Sequence, residues 1–384
     1  MKLNTKNNDR RRFIKNMSLG LGATVTGVPV LSSFSEELAT ALDEAVGNDQ
    51  DTKKGIALVG LGGYSTGQLA PALEQTKNCY LAGIVTGTPD KVDAWKSKYN
   101  IPDKNVYNYE NFDEIADNDD IDIIYIVLPN SMHADYVVRA AKTKKDIICE
   151  KPMATNVADA QRMIDACKEN GVKLAIGYRL HFEPFNKRVA ELGQQKLFGK
   201  VTEVKANFSE DMTSGKPNVW RLNKEMAGGG PLMDLGIYCV QGVIYTLGKT
   251  PIAVTAEFGE VTKPTYFFDV EQSIKWKMEF DDGFVAECES SYAKAEDLLY
   301  GKAERGWWKL SPAYSYDGKK GQTMEGPIDF ENVYEQANQM DSQAMHFNND
   351  QQSIVPGEMG LRDLKILMAI YESAEGGGKR VEIS

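Results

Sequence analysis

Residues 55–60 (GIALVG), followed at once by Leu61, Gly62, Gly63, Tyr64 and Ser65, constrain the fold of this chain more than any other stretch. A short apolar run that breaks at glycine reads as a buried strand. The alanine- and leucine-bearing stretch from about Ser65 to Thr76 reads as a helix. Glycines between such a strand and helix permit a tight turn and let backbone N–H groups approach a pyrophosphate at the helix N-terminus. Gly60, Leu61, Gly62, Gly63 and Tyr64 are therefore candidate nucleotide-contacting residues, with Ser65 small enough for close helix–strand packing.

The alternation continues. Strands are expected at 55–60, 79–86, 106–107, 122–128, 146–149 and 172–176, and helices near 65–76, 90–98, 111–117, 131–143 and 156–169. The 122–128 strand is apolar on both faces, as in the middle of a parallel sheet covered by helices. This predicts a doubly wound Rossmann domain over 55–177, binding its ligand outside the carboxyl ends of the strands. After Gly177 the period changes to two: Ile274, Trp276, Met278 and Phe280 alternate with Lys275, Lys277, Glu279 and Asp281. Segments 201–209, 252–259 and 284–292 look similar, so residues 178–384 are expected to form an α+β domain with an open-faced, mostly antiparallel sheet. A helix is expected near 357–375, with another over 231–246.

Length and charge narrow the classes. A chain of 384 residues suits two domains. Its net charge is −11, although six of the first thirty residues are basic and one is acidic, so the body is more acidic than the whole. Such a body argues against nucleic-acid binding. Arg10, Arg11 and Arg12 precede a weakly apolar, uncharged stretch that runs from Met17 to about Phe34. Residues 1–34 read as a twin-arginine export signal, which implies a periplasmic protein, and 35–54 as a short helix plus polar linker without proline. The five cysteines are scattered without disulfide spacing and read as core residues, and the three histidines lack metal-ligand spacing.

Chemistry is suggested at three further places. At the tip of the second strand, where an acidic residue would hold the adenosine ribose of NAD, the chain has Thr86, Thr88 and Lys91. Hydroxyls and a cation there favour the 2′-phosphate of NADP. Leu128-Pro129-Asn130 and Glu150-Lys151-Pro152 end neighbouring strands at the ligand edge. A lysine there points at the reacting carbon, and desolvation is expected to lower its pKa. Asp234 and Tyr238, four apart on one helix face, could grip a sugar hydroxyl and move its proton. Gly63-Tyr64-Ser65-Thr66-Gly67 also matches a hydrolase nucleophile elbow, but it lacks an oxyanion-loop motif, and Ser65 reads as a helix-cap residue.

Taken jointly, GLGGYS (60–65), IVLPNSMHA (126–134), CEKPMAT (149–155), IGYRLHFEP (176–184), WRLNKEMAGGGPLMDLGIY (220–238) and PGEMGLRDLKILMAIYE (356–372) make this chain resemble the Gfo/Idh/MocA oxidoreductase family. Within it, the likeness is to the glucose-fructose oxidoreductase group; many other members carry histidine where Tyr238 stands. The resemblance implies an NADP-dependent sugar oxidoreductase that oxidises an aldose to its lactone and reduces a ketose to a polyol. It implies Lys151, Tyr238 and Asp234 as catalytic residues, with Tyr178 positioning substrate. Leu128, Asn130, His133, Glu150, Tyr178, Arg179, Trp220 and Arg221 would line the cofactor, and Thr86 and Lys91 would meet its 2′-phosphate. A sugar dehydrogenase with exchangeable cofactor, an NAD-dependent glycosidase and a non-catalytic sensor are alternatives on the same fold. The open sheet is expected to mediate a homodimer or homotetramer.

Overall fold

A computed structural model describes residues 53–383 of the chain. The export signal expected at 1–34 and nearly all of the 35–54 linker lie outside the described residues.

The first half forms six parallel strands: β1 (Lys54–Val59), β2 (Cys79–Val85), β3 (Val106–Tyr107), β4 (Ile123–Ile126), β5 (Asp146–Cys149) and β6 (Leu174–Ile176). Their order is β3-β2-β1-β4-β5-β6, so the chain reverses its direction of travel across the sheet between β1 and β4. That reversal opens a crevice at the strands' carboxyl ends. All four β4 residues are buried, as the two-sided apolar run required.

The crossover helices are α1 (Ala70–Leu73), α2 (Val92–Tyr99), α3 (His133–Lys142) and α4 (Val157–Asn170). Asn156 caps α4 by accepting from the Asp159 amide at 2.9 Å, and Gly171 ends it in the left-handed conformation. The first helix departs from expectation: a π-helical turn over Ser65–Leu69 leads into α1, which ends at Leu73. Pro71 cannot donate to the Gly67 carbonyl and crowds it, so the turn ahead widens. The 111–117 helix is a 3-10 stretch, Phe112–Asp117.

The second half adds α5 (Pro184–Gln194), β7 (Val201–Ser209), α6 (Lys224–Ala227), α7 (Ile237–Leu247), β8 (Ala253–Phe258), β9 (Ser273–Glu279), β10 (Val285–Ser291), β11 (Glu296–Ala303) and β12 (Gly306–Leu310). Two short hairpin strands follow, β13 (Gly321–Thr323) and β14 (Gly326–Ile328), then α8 (Glu335–Asn348), α9 (Gly357–Glu375) and β15 (Val381–Glu382). The sheet has nine strands in the order β14-β13-β12-β11-β7-β10-β9-β8-β15. Only β7 and β10 pair in parallel. In β9, Ile274, Trp276 and Met278 are buried while Lys275 and Lys277 are exposed, so one face packs and the other is wet. Helices α7 and α9 bury their apolar stripes on the packed side, each large side chain contributing about 1.5–3 kcal/mol.

Helix α8 returns to the first half. Ala337, Met340, Ala344 and Phe347 cover the apolar layer formed by Ile56, Leu58, Ile84 and Tyr125, and Asp341 accepts from the Lys77 and Asn78 amides. All five cysteines are buried and free, as their scattered spacing suggested.

Candidate active site

The glycine turn sets the first wall. Gly60 leaves β1 at φ +95°, and a Cβ there would stand 2.6 Å from the Val127 carbonyl oxygen at the end of β4. Only glycine fits that turn. Gly62 and Gly63 face the opposite situation, since a Cβ on either would meet nothing within 4 Å. The backbone is thus bare towards an open groove of about 550 Å³ that runs along the strand ends. Ser65 is fully buried and donates to the Gly60 carbonyl at 2.6 Å, which removes it as a nucleophile and gives it a role in closing the turn.

Gly60, Leu61, Gly62, Gly63, Tyr64, Thr86, Lys91, Leu128, Asn130, Glu150, Trp220 and Arg221 all line this groove, together with Lys151, Asp234 and Tyr238. Thr86, Thr88, Lys91 and Tyr109 form one end, where no carboxylate contributes among the described residues. The Lys91 ammonium bridges to the Leu61 carbonyl at 2.6 Å, and Thr86 accepts from the Thr88 amide at 3.1 Å. Hydroxyls and a cation at this end, with a bare glycine turn beside it, fit a dinucleotide that carries a 2′-phosphate.

At the other end the groove meets a second, polar chamber of about 430 Å³. Lys151, Arg221, Asp234, Tyr238, Gln68 and Tyr316 line both cavities. Lys151 follows β5, and its ammonium donates to the Asp234 backbone carbonyl at 2.6 Å and carboxylate at 3.1 Å. It also lies 4.7 Å above the Tyr238 ring. Asp234 sits in a π-helical turn, Leu232–Gly236, that precedes α7, and not in one continuous α-helix over 231–246. Both Asp234 and Tyr238 nevertheless reach the junction. Glu271 fixes the start of that turn by accepting from the Gly230 and Leu232 amides, at 2.9 and 3.1 Å. The other Asp234 oxygen accepts from Arg221 at 3.1 Å and from the Tyr292 hydroxyl at 2.9 Å.

These contacts set the charges. Burial alone would raise the Asp234 carboxyl, but Lys151 and Arg221 hold it well below the usual carboxylate range. For Lys151 burial works downwards, yet Tyr238 and Asp234 outweigh it and the pKa is raised. The expectation of a depressed Lys151 was therefore wrong, because Asp234 lies within hydrogen-bonding distance. Lys151 is a firmly held cation. Burial pushes the neighbouring Glu150 up to about 7, against a hydrogen bond from Tyr125 at 2.6 Å and the Lys151 charge.

Three expected cofactor residues are placed elsewhere. His133 is fully buried, with its ring nitrogens 3.0 Å from the Pro152 carbonyl and 2.9 Å from the Leu128 carbonyl. It ties the two strand-end loops together and lines neither cavity. Tyr178 is buried behind Lys151 and Tyr238, beside His181 and Gln241, away from the groove. Arg179 lines the polar chamber instead of the groove and contacts Tyr238. Trp220 lies in the groove and stacks on Arg221, whose guanidinium is 4.5 Å from its ring.

Other chamber residues carried no sequence signal. Tyr314, Ser315, Tyr316 and Asp317 come from the loop after β12, and Asp297 on β11 anchors that loop by accepting from three consecutive amides at 2.7–2.9 Å. Glu210 and Met212 follow β7. Asp269 and Val270 line neither cavity and border a separate hollow beside α9.

Comparison with known proteins agrees with this layout. Residues 54–178 match the model described as "Oxidoreductase family, NAD-binding Rossmann fold", and residues 186–305 match "GFO/IDH/MocA C-terminal domain". The chain is 30% identical over 330 residues to D-xylose 1-dehydrogenase [NADP(+)] of Haloarcula marismortui, covering 83% of this chain and 91% of that protein. The crystal structure of aldose-aldose oxidoreductase from Caulobacter crescentus, complexed with glycerol, superposes with a TM-score of 0.83 at 36% identity, over 86% of this chain and 99% of that one. A putative NADPH-dependent oxidoreductase from Desulfitobacterium hafniense shares the fold, with a TM-score of 0.77 at 23% identity over 86% of this chain and 98% of that one.

Proposed function

Since this chain belongs to the Gfo/Idh/MocA oxidoreductase family, we propose that it oxidises an aldose at its anomeric carbon to the lactone, with NADP as hydride acceptor. One observation carries the reading: Lys151, Asp234 and Tyr238 stand where a dinucleotide-sized groove opens into a polar chamber. Similarity to NADP-dependent D-xylose dehydrogenase and to aldose-aldose oxidoreductase supports the sugar and the cofactor.

Gly60, Gly62, Gly63, Thr86, Lys91 and Trp220 would hold the cofactor, which supplies the hydride acceptor when bound. Lys151 places a fixed cation where negative charge develops on the sugar oxygen. Asp234 keeps that cation aimed through two hydrogen bonds, and Arg221 and Tyr292 keep Asp234 ionised. The reacting hydroxyl gives its proton to the Tyr238 oxygen while the tyrosine's own proton passes on to solvent in the polar chamber. Glu210 and Asp317 accept hydrogen bonds from the remaining sugar hydroxyls.

A second sugar that takes the hydride back from the same cofactor is favoured by the 36% identity to an aldose-aldose oxidoreductase. The test is nicotinamide absorbance of protein purified without added cofactor, read after D-glucose or D-xylose and again after D-fructose. A reduced-nicotinamide signal that rises with aldose and falls with fructose supports self-cycling with a ketose acceptor. A rise only when NADP+ is supplied means an exchanging dehydrogenase. Hydrolysis of a chromogenic glycoside without net redox change would instead support the glycosidase alternative.

The run Arg10-Arg11-Arg12 supports export of the folded protein, and recovery of the full chain only in the cytoplasmic fraction would overturn it. The open sheet face presents Lys205, Lys275 and Lys277 among Glu257, Glu287 and Glu289. That mixture of signs suits a second copy of the chain, and sedimentation showing only monomer would remove the idea.

A further inference from the structure

Arg179 is buried, and each nitrogen of its guanidinium donates a hydrogen bond. One terminal nitrogen donates to Glu335 on α8, the other to the Tyr314 backbone carbonyl, and Nε donates to the Tyr238 hydroxyl oxygen at 3.3 Å. Its guanidinium carbon lies 5.0 Å from the centre of the Tyr238 ring and 4.4 Å from that of Tyr316. Lys319 completes the cluster, donating to both Glu335 oxygens at 3.1 Å.

Three charged side chains brought out of water are costly, and apolar packing of the same volume usually holds a fold as well or better. What this cluster provides that apolar packing would not is a rigid donor beside the proton-transfer hydroxyl. We propose that Arg179 is a positioning residue for proton transfer: its Nε fills one lone-pair direction of the Tyr238 oxygen and so aims the hydroxyl into the polar chamber, with Glu335 and Lys319 locking the guanidinium in place. The role rests on the sugar oxidation proposed above. In that step the sugar O–H bond breaks and its proton passes to the Tyr238 oxygen as the tyrosine's own proton goes on to solvent in the polar chamber; the electron pair of the C–H bond would leave as hydride to the nicotinamide, when bound. Arg179 neither gains nor loses a proton. Lys151 lies 4.7 Å from the centre of the same ring, so Tyr238 contacts two cations of different duty.

The test is a cycle of Arg179→Met and Tyr238→Phe, assayed with NADP+ and the aldose that the wild type turns over best. Arg179→Met leaves Glu335 paired with Lys319. It is expected to lower kcat roughly 10- to 100-fold, the range for a hydrogen bond from a charged donor, while KM for the sugar stays unchanged. In the Tyr238→Phe background it should cost nothing further. An equal proportional loss in both backgrounds, or a raised KM at unchanged kcat, overturns the proposal. A second readout does not depend on turnover. In protein labelled at the tyrosine ζ-carbon, the Tyr238 signal, assigned by its loss in Tyr238→Phe, should move in Arg179→Met. An unmoved signal refutes the contact. Failure of the wild type to oxidise any aldose would refute the proposed function, and the carbon signal would still decide the contact. If Arg179→Met does not fold, Arg179→Lys, which keeps a charge beside Glu335 but loses the Nε donor, is put through both measurements with the same signs expected.

Discussion

Gly60 and Gly62 lie two residues apart in one turn, yet alanine should do opposite things at each. At Gly60 the backbone sits at φ +95°, and the new Cβ would be 2.6 Å from the Val127 carbonyl oxygen. Left-handed strain and a clash with backbone that must shift the end of β4 together cost about 2–5 kcal/mol. For a chain of this size that lowers Tm by roughly 3–7 °C. At Gly62 the Cβ meets nothing within 4 Å and no left-handed φ is involved, so stability should stay within about 0.5 kcal/mol. The methyl group instead occupies the space through which a pyrophosphate approaches the backbone, and NADP+ affinity should fall at least about tenfold, or 1.4 kcal/mol. Thermal unfolding of the cofactor-free variants and calorimetric titration with NADP+ separate the two effects. The reasoning is refuted if Gly62→Ala melts as early as Gly60→Ala while binding NADP+ like the wild type.

Two further outcomes follow from the charges. Glu150 is raised from 4.5 to about 7 by burial, so the folded state holds a proton that the unfolded chain releases. Its contribution to stability is therefore lost as pH rises from about 4.5 through 7, by about 3 kcal/mol in all; Glu150→Gln should flatten that part of the stability–pH curve, and an unchanged slope in urea unfolding would refute the assignment. Lys91→Ala should weaken NADP+ about tenfold and leave NAD+ binding alone, because only the former presents a phosphate at the Thr86 end of the groove; equal loss for both cofactors would place Lys91 outside phosphate recognition.

The nucleotide half was legible because its signals are local. A strand such as Ile123–Ile126 announces burial on both faces, and Gly60 is forced by its own φ. The wet and dry faces of β9 were equally plain from alternation. Helix α8 was missed because its buried face includes Glu335, Gln336, Gln339 and Gln343, so it shows no apolar stripe. Residues 296–328 were missed as well, since their short strands carry little period-two pattern, and with them went Tyr316, Asp317 and the Asp297 anchor. Arg179 was assigned to the cofactor only through the family resemblance of its motif, IGYRLHFEP (176–184). Its true partners, Glu335 and Tyr314, are more than 130 residues away in sequence, and only the folded chain brings them together. The sign of the Lys151 shift was misjudged for the same reason: desolvation could be foreseen from position, the counter-charge of Asp234 could not.

The central claim is that Lys151, held by Asp234 beside Tyr238, carries the chemistry at the junction of groove and chamber. The measurement that tests it most directly compares wild type with Lys151→Ala, each loaded with NADP+, for reduced-nicotinamide absorbance after addition of D-glucose or D-xylose. The account predicts a signal in the wild type, and in Lys151→Ala an intact fold and bound NADP+ with the signal lost or slowed by about 100-fold or more. Turnover of Lys151→Ala at the wild-type rate would contradict it.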